Sequence, residues 1–75
     1  MYRLQLVSDV THDGMGLELL DGDLVIAEVF RCDADKTVTV RVTALVPLRE
    51  VERLLAEARR RLDPFEDGTP IADAV

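Results

Sequence analysis

The sequence has little of what usually stabilises or equips a small domain. Cys32 is the only cysteine among 75 residues, His12 is the only histidine, and tryptophan is absent. A single cysteine forms no internal disulfide and cannot assemble a cysteine-based zinc site. We therefore expect no metal and no cofactor, and stability must come from the core or from a partner chain.

Long apolar runs are also missing. The most apolar run, residues 24–27, is far too short to span a bilayer, and the first five residues lack the apolar stretch of a signal peptide. A single reduced cysteine, together with the lack of an export signal, indicates the cytoplasm. The sequence predicts one cytoplasmic domain over residues 1–75, with no membrane partner.

Positive charge is scarce and unevenly placed. The net charge is −6, yet residues 36–62 hold seven basic and three acidic residues, while the flanking segments are acidic. An acidic protein repels phosphate backbones, so broad nucleic-acid binding is disfavoured.

Alternating apolar residues and Asp/Gly turns predict four strands, at about 2–10, 15–20, 24–32 and 36–45. Their short connections favour an antiparallel meander. A helix is expected over about 47–62, because its apolar residues fall within one arc of about 120°. Pro47 suits its start, and Asp63-Pro64 its end. The predicted fold is α+β, with one amphipathic helix packed on one face of the sheet.

The third strand carries apolar residues on both faces, which is typical of a strand buried on both sides. One helix covers only one face, so the other face needs the acidic tail 63–75, through Phe65 and Ile71, or another chain. The tail is expected to be docked or partly disordered.

Two registers of the last hairpin are conceivable. A two- or four-residue loop places Glu28 opposite Arg41, whereas a three-residue loop places Glu28 opposite Val40, where desolvation penalises the charge. The first register is favoured. It turns the valines toward the helix and leaves a candidate contact surface made of Leu24, Ile26 and Phe30.

The polar turns offer few catalytic groups. His12 lies between Asp9 and Asp13, and a carboxylate beside its imidazole could orient it as a general base. No partner nucleophile is evident, and Cys32 is interpreted as a small apolar residue. Two alternative sets of residues could act as hard-metal ligands, yet no metal-binding loop pattern accompanies either. They are Asp9, His12 and Asp13, or Asp21, Asp23, Asp33 and Asp35. Hairpin turns favour the same residues. We expect no enzyme.

Arg49, Arg53 and Arg60 project from one side of the predicted helix, opposite the apolar arc. Glutamates at helical pairing distance would neutralise such a stripe. The leading hypothesis is a non-enzymatic protein-interaction module, either homodimeric or binding another protein through an apolar sheet face. The alternative is a small nucleic-acid-associated regulator that uses the arginine stripe; a His12-centred or metal-dependent enzyme ranks below both.

Overall fold

A computed structural model describes residues 1–72 of the chain, which form four strands and one helix. The elements are β1 (Tyr2–Asp9), β2 (Gly14–Asp21), β3 (Leu24–Cys32), β4 (Thr37–Val42) and α1 (Leu48–Arg61). The strands pair antiparallel in the order β1-β2-β3-β4, and α1 packs on one face of the sheet. The predicted α+β meander is confirmed, although β4 ends at Val42 rather than at residue 45.

Left-handed backbone conformations close the turns of the meander. The two-residue loop between β2 and β3 begins with Gly22, whose φ of 62° is the positive value that primed hairpin turns require at this position. Asp13 has a φ of 52° just before β2, and Lys36 has a φ of 59° just before β4. Each turn therefore returns the chain directly alongside the strand it has just left.

The β3–β4 hairpin has the predicted register, in which Glu28 avoids the desolvation it would suffer among the valines. Glu28 lies opposite Arg41, and Val29 lies opposite Val40. The helix covers the face that carries Val29, and the core forms between them. The buried core cluster comprises Leu17, Leu19, Ile26, Ala27, Val29, Leu54, Ala58, Leu62, Phe65 and Ile71.

The ends of α1 follow the charge pattern of a stable helix. Pro47 is the N-cap residue, and Glu50 lies in the first turn, where the positive end of the helix dipole favours an acid. The last turn carries three arginines, and Leu62 is the C-cap. Within residues 1–72, no helix is long and apolar enough to cross a membrane.

A buried ion pair ties the end of α1 to the end of β3. Nε of Arg31 lies 3.1 Å from Oδ1 of Asp33, and the two residues are only 8% and 5% exposed. Arg31 also donates to the carbonyl oxygens of Leu62 and Pro64, at 2.7 and 2.8 Å. Asp33 accepts the backbone N–H of Glu66 at 2.7 Å. We call this arrangement the Arg31–Asp33 clasp; it supplies a donor for the carbonyl of the C-cap residue Leu62, which the end of the helix leaves without a partner.

The segment after the helix docks on the helix side of the sheet. Phe65 and Ile71 are 3% and 2% exposed and belong to the core cluster. Lys36 adds a contact, with its Nζ 6.0 Å from the centre of the Phe65 ring. Residues 63–72 therefore do not cover the second face of the sheet, so the tail alternative is wrong for this segment, because the clasp holds it on the helix side. Residues 73–75 of the expected tail lie outside the described residues.

Candidate functional site

The far face of the sheet, opposite α1, is partly filled by one aromatic ring. A Cβ atom added to Gly14 would lie 2.6 Å from Cζ of Phe30, and one added to Gly16 would lie 3.5 Å from Cδ1 of the same ring. The ring thus rests on two glycines of the neighbouring strand. This explains why Phe30 is only partly exposed without any partner chain.

The expected contact surface of Leu24, Ile26 and Phe30 does not form. Ile26 is 4% exposed and belongs to the core cluster, so its place on that surface is wrong. The cause is an irregularity in the β2–β3 ladder, where Leu19 pairs with Ala27 and Leu20 with Val25, leaving Ile26 as an extra residue. Strict alternation fails at that point. Leu24 alone remains largely exposed, at 66%.

An open groove of about 800 Å³ crosses the far face, with His12 and Cys32 among its lining residues. Nδ1 of His12 lies 2.7 Å from Oδ2 of Asp9, so Asp9 is the carboxylate that contacts the imidazole. The imidazole is 71% exposed, and Sγ of Cys32 lies 3.7 Å from the His12 carbonyl oxygen. The thiol thus contacts the backbone of His12, an arrangement that assembles no nucleophile–base pair.

The hydrogen bond from the His12 side chain, supported by the bond from its backbone N–H, lowers the pKa of the Asp9 carboxyl. The backbone N–H of His12 donates to Oδ1 of Asp9 at 3.0 Å. Both bonds are local, between residues three apart in the β1–β2 loop. They are what a polar turn forms to hold its own conformation.

Among residues 1–72, a single group of three metal-type ligands comes together, made of Asp13, Asp33 and Glu66. The sets considered as possible hard-metal ligands, around His12 and in the two Asp-rich turns, do not assemble into such a group within these residues. Asp33 is already paired with Arg31, whose positive charge disfavours a cation beside it. The group is therefore explained by the clasp, which brings Glu66 close to the β-strand loops.

The arginine stripe on α1 is largely neutralised. Arg53 donates to Glu50 at 2.9 Å, and Arg60 donates to Glu57 at 2.7 Å. The bond from Arg60 lowers the pKa of the Glu57 carboxyl. Of the three predicted residues, Arg49 has no ion pair within residues 1–72. This stripe presents little net positive charge to a phosphate backbone.

The free edge of β4 is the most apolar exposed region near the core. Because α1 packs mainly on β2 and β3, the helix-facing valines of β4 are uncovered: Val40 is 46% exposed and Val42 48%. Leu45 and Leu48 follow in the connection and at the helix start, 101% and 73% exposed. We call these four side chains, with the outer backbone groups of β4, the β4 edge surface.

The hydrogen-bond phase of β4 decides which backbone groups face outward. The N–H of Thr43 donates to the carbonyl of Ile26 at 3.0 Å, in continuation of the β3–β4 register. Hydrogen-bonded and non-hydrogen-bonded pairs alternate along an antiparallel ladder. Thr39 and Arg41 therefore bond inward to β3, and the valines at 38, 40 and 42 direct their N–H and C=O groups to the open edge.

Comparison of the chain with protein-family models, with curated proteins and with solved structures found no match.

The valines of the β4 edge surface belonged to the face assigned to the helix, so the sequence reasoning overlooked them. A helix is about 10 Å across, whereas strands lie about 4.8 Å apart, so one helix covers about two strands. That ratio could have indicated that a four-stranded sheet leaves helix-facing side chains exposed on its edge strands. Leu6 of β1, at 37% exposure, shows the same effect at the opposite edge.

Proposed function

We propose that this protein is a small non-enzymatic interaction module that binds protein through the β4 edge surface. One observation carries the proposal: an edge strand with outward backbone groups also presents half-exposed valines on its helix-facing side. An extended segment of a partner can add to such an edge by main-chain hydrogen bonds, while side-chain pockets supply specificity.

Residue composition along β4 supports this role. Its sequence, TVTVRV, is rich in β-branched residues, and residues 37–42 contain no proline or lysine. Proteins usually protect an edge strand with proline or lysine, with bulges or with a covering element. An edge that keeps its pairing capacity and its apolar side chains is suited to binding an added strand.

The energy available at this surface fits reversible binding. Full burial of a valine or leucine contributes roughly 1.5–3 kcal/mol, so the half-exposed Val40 and Val42 offer about 1 kcal/mol each. Each added main-chain hydrogen bond contributes about 0.5–1.5 kcal/mol net. Association costs at least about 4 kcal/mol in lost freedom, so we expect moderate affinity.

Two other roles have less support. His12 bonds to Asp9 in an exposed turn, and the thiol of Cys32 contacts the backbone carbonyl of His12, which offers little to a hydrolase. The ion pairs of Arg53 and Arg60 reduce the charge available for nucleic acid. We propose in addition that the protein acts in the cytoplasm, where the thiol of Cys32 stays reduced.

Amide hydrogen exchange on the ¹⁵N-labelled chain tests the proposed surface. In dilute solution, the outward amides of Val38, Val40 and Val42 should exchange fast, and the inward amides of Thr39 and Arg41 slowly. Adding unlabelled host-cell extract, or concentrating the chain, should slow the outward set. If the outward amides remain fast in both conditions, the β4 edge is not a binding surface and the proposal is wrong.

A titration with generic DNA and RNA at low salt separates the nucleic-acid alternative. We expect no binding. Binding that disappears in the variant Arg49→Glu, and persists in Val40→Pro, would move the function from the β4 edge to the helix.

A further inference from the structure

Given the proposed function, on which this inference rests, we propose that the strand received by β4 is the β4 strand of a second copy of the chain. The two strands would pair antiparallel about a two-fold axis with Val40 opposite Val40 of the second copy. The sheets would then join into one of eight strands, with both helices on the same face.

The backbone phase selects this arrangement. The groups free to bond are those of the valines at 38, 40 and 42, and a new ladder must join outward residues to outward residues. Any register that pairs an even-numbered with an odd-numbered residue would direct free groups at groups already bonded to β3. Only registers that pair valine positions with each other remain within the strand.

The side-chain pairs that each register forms then distinguish among the remaining registers. With Val40 at the axis, Val38 faces Val42 of the second copy, so all three valines on each strand are paired. Arg41 faces Thr39 of the second copy, and its guanidinium keeps its bond to Glu28 at 3.1 Å. Moving the axis to Arg41 would place two arginines opposite each other, which like-charge repulsion disfavours. Moving it to Thr39 would leave Val42 unpaired.

The β4 edge is short, and its length limits the expected affinity of the dimer. A six-residue strand spans about 20 Å, so the contact lies at the small end of specific interfaces, below roughly 1,200 Å² in total. We expect a dimer in rapid exchange with a dissociation constant on the order of 10–100 μM. The mass in solution should therefore rise with concentration from one chain of 8.4 kDa toward two.

Engineered cysteines test both the partner and the register. In a Cys32→Ser background, the variant Val40→Cys should form a disulfide dimer under mild oxidation, because directly paired residues are about 5.5 Å apart. Val38→Cys and Val42→Cys should each remain uncrosslinked alone, since their own copies lie four residues out of register. An equal mixture of those two variants should crosslink as a heterodimer.

Light scattering on the unmodified chain provides the independent readout. The expected result is a mass that rises at least about 1.3-fold between about 5 and 500 μM, with the variant Val40→Pro remaining at one chain. Crosslinking of Val38→Cys or Val42→Cys alone would overturn the register. A mass of one chain throughout would overturn the second copy as partner. In that case, slowed exchange of the outward β4 amides in host extract would still support the proposed function, and unchanged exchange would reject both.

Discussion

The Arg31–Asp33 clasp leads to a quantitative prediction about stability. Both partners are more than nine-tenths buried, and together they bond the ends of β3 and α1. Removing one partner of a buried ion pair costs about 3–5 kcal/mol, because the other charge is left without compensation. A chain of 75 residues has a total stability of about 4–11 kcal/mol. We therefore expect Asp33→Ala to remove a large part of the folding free energy.

A double-mutant cycle separates the pair from its surroundings. The variant Arg31→Met should lose about as much as Asp33→Ala, since a buried carboxylate then lacks its cation. The double variant should be less destabilised than the sum of the two by at least about 2 kcal/mol, because neither uncompensated charge remains. It still loses the bonds to the carbonyls of Leu62 and Pro64, so it should not return to the original stability.

Urea unfolding followed by circular dichroism measures these differences, since the chain contains no tryptophan to serve as a fluorescent probe. Asp35→Ala, in the same turn but exposed, is the matched control and should shift the midpoint little. Strict additivity of the two single variants, or a loss below about 1 kcal/mol for Asp33→Ala, would refute the coupling of this pair.

Three further predictions follow from the sheet and its loops. Gly14→Ala should destabilise the fold by about 1–3 kcal/mol in urea unfolding, because the added Cβ would lie 2.2 Å from the carbonyl oxygen of Arg31; equal stability would contradict that close approach. Val40→Pro should cost less stability than Thr39→Pro, since only Thr39 donates to β3; the reverse order would show that the strand phase is wrong. Hydrogen bonds lower the pKa of four carboxyl groups, those of Asp9, Asp35, Glu57 and Asp67. The stabilisation that these groups contribute is fully present above their ordinary pKa values of 3.8 for Asp and 4.5 for Glu, and it is lost as the pH falls through the lowered pKa values of the folded state. The urea concentration at the unfolding midpoint should therefore decrease below about pH 4. A midpoint that stays constant down to about pH 2 would contradict this prediction.

The strand and helix pattern was predictable because it depends on local periodicity. The β3–β4 register was also predictable, since a loop of two or four residues keeps Glu28 away from the valines and opposite Arg41, whereas a three-residue loop does not. The burial of Ile26 was not predictable, because an extra residue in the β2–β3 ladder turns its side chain into the core. Alternation along a single strand contains no signal for an irregularity that depends on its neighbour.

The clasp illustrates a second limit. Arg31 occupies a strand position at which an arginine ordinarily lies in solvent, yet its acceptors are carbonyls more than thirty residues later in the chain. Backbone acceptors carry no sequence signature, so nothing in the pattern assigned the side chain to the interior. The same contact determines that the residues after α1 dock beside the helix rather than on the far face.

The two edges of the sheet differ in a way that bears on how far assembly proceeds. Pairing of β4 with β4 uses the same edge on both copies and gives eight strands with a β1 edge at each end, so no free β4 edge is left for a β1 edge to join. Pairing of β4 with β1 would leave one free edge of each kind and could add copies without end. A two-fold contact through the valine-rich edge would thus remove that edge from solution and prevent the head-to-tail addition of copies that leads to fibres.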